Sequence, residues 1–205
     1  MRRGQPLVGG SDPLRRTVSG PFYRAVDPAY RASALAGSRS AGRYSPPEVP
    51  TLYLSASRDG VAAAMVAHRD ERTPDLEVLR FEVEADRIVD LRDRAALVSL
   101  GIDPADASAD WQGAVARGEV PPSWRVREAL EDRGAHGLID PSRQRPGLWH
   151  LCLFRWNTAG APAVRSGEDL GPHQVERATG HGQPQGERGQ PEAAEHHPEV
   201  HGREA

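Results

Sequence analysis

The sequence predicts an α+β domain built on a mixed or antiparallel sheet, and three observations point there. Strand-like runs stand at both ends of a central region, with helix-like runs between them. The clearest strand, within 76–85, alternates apolar and polar residues, a pattern of sheets with one covered and one open face. No Gly-x-Gly-x-x-Gly follows a strand, which excludes a doubly wound dinucleotide-binding domain. The extent of the domain follows from the aromatic residues. All 11 Phe, Tyr and Trp of the 205-residue chain lie between Phe22 and Trp156, so the core is assigned to residues 21–156. Residues 1–20 then form a flexible basic arm. Residues 157–205, lacking aromatics and rich in Gly, Pro, Glu, Gln and His, form a disordered tail.

Taken in order, Phe22-Tyr23-Arg24 is a short strand broken by Asp27-Pro28. Arg24, just past its end, can reach a ligand or cover the sheet edge. Residues 32–41 are small and polar, a loop. Arg43 and Tyr44 lead into a Pro46-Pro47 turn, and Thr51–Ser55 is a strand centred on Tyr53. Ser57 is an N-cap for the helix former VAAAMVA. A cation and an aromatic delivered to one sheet end suit an anionic, ring-bearing ligand; the same pattern also fits a core Tyr and a solvated Arg. Leu79, Phe81 and Val83 share one face of the next strand, and residues 88–91 continue the sheet after a turn at Asp86-Arg87. Asp93 opens a short helix stopped by Gly101, and Asp103-Pro104 opens one running to about Arg117. A further helix from Trp124 ends at Gly134. Leu138-Ile139, a turn at 140–143, and Leu148–Trp156 close the domain as strand, loop, strand. His136 and His150 read as structural, and no His, Asp and Glu cluster in the core has metal spacing.

Composition excludes several chemistries. All 26 basic residues are Arg, so no lysine Schiff base, P-loop lysine or Ser-Lys dyad exists. The single cysteine, Cys152, excludes an intramolecular disulfide and sits in an apolar run as an inert thiol. The net charge of −3 resolves into +3 on residues 1–20, −4 on 158–205 and hence −2 on the rest, so the core is nearly balanced. That is not a nucleic-acid-binding surface, and direct nucleic-acid contact is not expected. No secretory h-region and no membrane-length apolar run is visible, which predicts a soluble, cytoplasmic protein.

FYRAVDP, then GRYSPPEVPTLYLSAS before an Ala-rich helix, then RGAHGLIDPSRQRPGLWHLCLF resemble the RES domain family in order and spacing across roughly 21–156. The resemblance implies an ADP-ribosyltransferase-like fold. It also implies a toxin of a toxin–antitoxin pair that consumes NAD as its substrate, cleaving it by hydrolysis or phosphorolysis. The implied partner is an Xre-type helix-turn-helix antitoxin, with no membrane partner, and self-association is left open. It places the family's two arginines on Arg24 and Arg43, its strand tyrosine on Tyr53 and its late serine on Ser142. Arg24, Arg43 and Tyr53 would then bind the dinucleotide, and Arg43, Tyr53 and Ser142 would serve catalysis. These types suit NAD: guanidinium forks grip a pyrophosphate, an aromatic stacks on the cationic nicotinamide, and a serine hydrogen-bonds ribose or carboxamide. The family's glutamate position, eleven residues after the tyrosine, holds Ala64. Asp59 lies about 140° around the helix from it. A replacement carboxylate would come from another segment, with Glu82 and Glu84 as candidates; otherwise the protein acts by binding a nucleotide or partner protein without turnover.

Overall fold

Helix boundaries follow the capping chemistry closely. In the computed structural model, which describes residues 12–14, 16–65 and 75–167, Asp93 accepts from the backbone N–H groups of Ala95 and Ala96 and opens α2 (Arg94–Leu100). Gly101, left-handed at φ 66°, closes it. Asp103 caps α3 (Pro104–Ser108) with Pro104 at the first helical position. Ser57 accepts from Gly60 at 3.0 Å and opens α1 (Arg58–Met65). The strands are β1 (Val18–Val26), β2 (Leu52–Ser55), β3 (Glu77–Ala85), β4 (Ile88–Asp90), β5 (Gly137–Pro141), β6 (Trp149–Leu153) and β7 (Ala163–Ser166). Helices α4 (Trp111–Ala116) and α5 (Pro122–Asp132) lie between β4 and β5, and a 3-10 turn spans Pro28–Ser33.

The seven strands form one sheet in the order β4-β5-β6-β2-β1-β3-β7. Every pairing is antiparallel except β4 with β5. The α+β class with a mixed sheet is therefore the observed one. The sheet cannot be flat. β3 and β4 stand five strand positions apart, about 24 Å in a flat sheet, yet only Asp86 and Arg87 separate them in sequence, a reach of about 11 Å. Arg87 adopts a left-handed φ of 55° at this crossing. The fold-over lies between β1 and β2, which share a single registered pair, Tyr23 opposite Ser55. Two half-sheets thus face each other.

Each face of the β5-β6-β2 half-sheet has its own core. Ile139, Leu151, Leu153, Leu52 and Leu54 point into the sandwich against Phe22, Phe81, Val83 and Val164. The opposite face supplies Leu138, Cys152 and Tyr53 to a second cluster. That cluster also contains Leu97 of α2 and Val126 and Leu130 of α5. Cys152 is enclosed there, burial pushing its thiol well up, so it is inert as expected.

Several sequence expectations change. Residues 88–90 continue the sheet as β4, but not beside β3: β4 crosses to the far edge and pairs with β5, while β7 occupies the other side of β3. The helix expected from Pro104 to Arg117 breaks at Ala109, where ψ is 155°, and Asp110 caps a new helix by accepting from Gly113 at 3.0 Å. An aspartate competes for backbone N–H groups and favours a cap over a helix interior. The closing strand ends at Leu153, not Trp156. The sheet gains β7 beyond the expected domain limit, where Asn157 exchanges two hydrogen bonds with Val164, at 2.8 and 2.7 Å. At the other end β1 starts at Val18, and the Arg16 carbonyl accepts from Ile88, so the last part of the basic arm is structured. The arm before Asp12, the first helix beyond Met65 and the tail from 168 lie outside the described residues.

Candidate functional site: an arginine-lined cleft at the seam

Where the half-sheets diverge, a cleft of about 430 Å³ opens. Register sets its floor. Asp140 faces His150 across β5-β6, His150 faces Ser55 across β6-β2, and Ser55 faces Tyr23 across β2-β1. Directly paired residues share a sheet face. The four therefore form one polar row across four strands, and all line the cleft. A slip of one residue would turn the whole row into the sandwich core. Leu138, Cys152 and Tyr53 form the next row on the same face, still covered by helices.

The wall is the loop 42–45, held from two sides. From the sheet, the Tyr53 hydroxyl accepts from the Tyr44 N–H at 3.1 Å and shares a 3.0 Å hydrogen bond with Ser45 Oγ. The fit leaves room only for glycine at 42, where a Cβ would stand 2.7 Å from Ser45 Oγ and 2.9 Å from the Tyr53 hydroxyl. From the helices, α5 donates three side chains to loop carbonyls. Trp124 Nε1 reaches Gly42 O at 2.8 Å, Ser123 Oγ reaches Arg43 O, and Arg127 reaches Tyr44 O at 3.1 Å. Arg127 is 3 % exposed; it also binds Thr51 Oγ1 at 2.6 Å and Glu131 at 2.9 Å, and lies over the Phe154 ring at 4.8 Å.

The loop thus projects Arg43 into the cleft, where it donates to Ala109 O at 2.9 Å. The α3–α4 break frees that carbonyl. Nearby, the Tyr44 hydroxyl, fully buried, donates to Asp140 Oδ1 at 2.9 Å. Arg143 grips Asp140 with both terminal nitrogens, at 2.8 and 3.2 Å, and also donates to Ala107 O. Arg24 enters from β1 and donates to Ala34 O. Burial holds the Arg24 guanidinium below its ordinary value; burial and then the positive Arg143 do the same for Arg43. Among the described residues neither is ion-paired to a carboxylate, so their charge is available to an anion. Burial, with the Asp140 charge second, pushes the Tyr44 phenol well up, and burial pushes the His150 imidazole down.

The cleft brings together every residue singled out in the sequence as a site: Arg24, Arg43, Tyr53 and Ser142 all line it, and so does Ala64. The Tyr53 hydroxyl is engaged by the loop, and the residue also lines the cleft. One expectation is corrected: Glu82 and Glu84, the candidate replacement carboxylates, are not cleft residues; Glu82 pairs with Arg80 on β3 and Glu84 with Arg165 on β7. Among the described residues, the carboxylate that lines the cleft is Asp140. Sequence reasoning left Asp140 and Arg143 in a turn and gave His150 a structural role, since only strand register shows that they converge. Ser142 accepts from the Arg145 N–H at 3.2 Å and is nearly buried.

The fold is thus an α+β domain whose folded-over sheet carries an arginine-lined cleft at its seam. The RES domain model matches residues 21–174, and the chain belongs to the RES domain family. Among solved structures it is similar to a chain of the M. tuberculosis MbcT-MbcA toxin-antitoxin complex, at 19% identity and a TM-score of 0.53, covering 82% of this chain and 88% of that one. At that identity the likeness is one of fold. No curated protein matches the chain. Among the described residues no helix is long and apolar enough to cross a membrane.

Proposed function

We propose that this RES domain is the toxin of a toxin–antitoxin pair, that it binds NAD in the seam cleft, and that it cleaves the bond between nicotinamide and ribose. One observation carries the reading: two guanidinium groups without carboxylate partners among the described residues, Arg24 and Arg43, share one cleft with Ser142, the Asp140 carboxylate and the rings of Tyr23 and Tyr53. The two cations suit the pyrophosphate. The Tyr53 and Tyr23 rings offer faces to a cationic ring. Departure of nicotinamide leaves an oxocarbenium-like centre at the ribose, which a carboxylate steadies. Asp140 is the acid in place for that, although Arg143 neutralises part of its charge.

A second reading is supported by Ala64, which stands in the cleft at the family's glutamate position. Under it the domain binds a nucleotide or a partner protein without turnover. Either way the partner is an antitoxin, expected to be of the Xre helix-turn-helix type. NAD loss by the purified protein, with and without phosphate, separates the readings. Turnover that is abolished in Arg43→Ala supports the toxin; saturable NAD binding without turnover supports the second. Ala64→Glu then raises kcat if the missing carboxylate limits the rate, and leaves it unchanged if Asp140 already fills that role.

A further inference from the structure

The cleft floor holds a hydrogen-bonded pair that the reading above does not use. Ser55 Oγ lies 3.0 Å from His150 Nδ1. The other ring nitrogen, Nε2, has no hydrogen-bond partner among the described residues, yet no buried side-chain nitrogen or oxygen among them is left unpartnered. Nε2 is therefore accessible, and the space beside it is the cleft that His150 lines. A serine hydroxyl both donates and accepts. With the ring proton on Nδ1, given to Ser55 Oγ, the lone pair sits on Nε2 and faces the cleft.

We propose that His150 is a catalytic base, whose Nε2 takes the proton from the O–H nucleophile (water or inorganic phosphate) that attacks C1′ of the nicotinamide-bearing ribose. The proposal rests on the NAD reading. The C1′–N bond breaks and its electron pair neutralises the nicotinamide ring. The nucleophile's oxygen bonds to C1′, and its proton passes to Nε2 and then to solvent. No oxidant or metal is required.

The surroundings fit a base that starts neutral. Burial, the largest influence, lowers the imidazole's proton affinity; Asp140, its cross-strand neighbour, opposes this, and Arg143 adds to it. On the other side stand Ser55 and, one strand beyond it, Tyr23, with Arg58 5.3 Å from its ring centroid; Arg43 lines the same cleft. Once protonated, the imidazolium lies beside the Asp140 carboxylate, which favours the charged form as the nucleophile closes. Ser55 acts only as a positioning residue, through Nδ1. Because His150 is neutral above its lowered pKa, turnover falls as pH drops through a value below 6.5, the ordinary one for histidine.

The experiment measures NAD consumption and products for the wild type and His150→Gln across pH, with and without phosphate. Glutamine is close to histidine in size and places an amide near the position of Nε2, but it cannot take a proton. The expected result is a fall in kcat of about 100-fold or more, an unchanged KM for NAD and loss of the acid limb. The product formed with phosphate tells which nucleophile His150 serves. If His150→Gln keeps the wild-type kcat and acid limb, the proposal is overturned while the NAD reading stands. If the wild type consumes no NAD at any pH, both fall. Should the variant not fold, the wild type decides: the acid limb of kcat must coincide with the His150 titration followed by NMR, and a mismatch overturns the proposal.

Discussion

Replacing Arg127 by methionine tests whether α5 holds the cleft wall. Methionine keeps most of the apolar stem, so the cavity contribution is small. What is lost is polar. The Tyr44 carbonyl is buried with Arg127 as its side-chain donor, and leaving such a group unsatisfied costs about 1–3 kcal/mol. The guanidinium over Phe154 contributes about 1–2 kcal/mol in a desolvated setting. Glu131 is 34% exposed and turns to solvent, so that pair is worth about 0–1 kcal/mol. Thr51 keeps its contact to Val49 O at 3.3 Å. The sum is about 2–6 kcal/mol, or a fall in melting temperature of about 4–24 °C for a domain of this size. Thermal and denaturant unfolding by circular dichroism read it directly. Replacing buried ion pairs with apolar residues is often neutral when both partners leave; here the Tyr44 carbonyl stays. A loss below about 1 kcal/mol would refute the idea that this carbonyl depends on Arg127.

Further outcomes follow from the same geometry. Arg43→Ala should weaken dinucleotide binding by about tenfold or more, the worth of a charge-assisted hydrogen bond, and barely move the melting temperature; unchanged affinity by calorimetry removes Arg43 from the site. Asp90 carries a pH prediction. Burial opposes its ionisation, but the Arg92 hydrogen bonds and the Arg16 charge outweigh it and hold the carboxyl below its ordinary 3.8. A depressed carboxyl stabilises the fold above its unfolded pKa and loses that stabilisation as pH falls through the folded value. Stability should therefore drop below about pH 4, and Asp90→Asn should flatten the drop; an identical acid profile would show that other carboxyls control it.

Local chemistry was legible where a few adjacent residues decide the outcome. Asp93 with Gly101, Asp103 with Pro104 and Ser57 all cap as their types dictate, and the alternation of Leu79, Phe81 and Val83 matches their burial. The grouping of Arg24, Arg43, Tyr53 and Ser142 was legible through the order of three motifs, not through any one of them. Long-range pairing was not legible. Nothing in Asp86-Arg87 announces a crossing from β3 to the far edge of the sheet, because that depends on β7 taking the side of β3 that a hairpin would have used. The floor of the cleft was hidden for the same reason. Asp140, His150 and Ser55 are ordinary residues of three separate segments, and only the antiparallel register makes them neighbours.

That register bears on when the site comes into being. Its floor is assembled from β1, β2, β5 and β6, of which β6 ends only at Leu153. Pairings across such sequence distances form late and slowly, since loop-closure entropy is met before the contacts reward it. A nascent chain released only as far as α5 holds Arg24 and Arg43 but has neither His150 nor Asp140 to face them. A chain of that length therefore lacks half of the cleft floor, and the row is complete only once β6 is present.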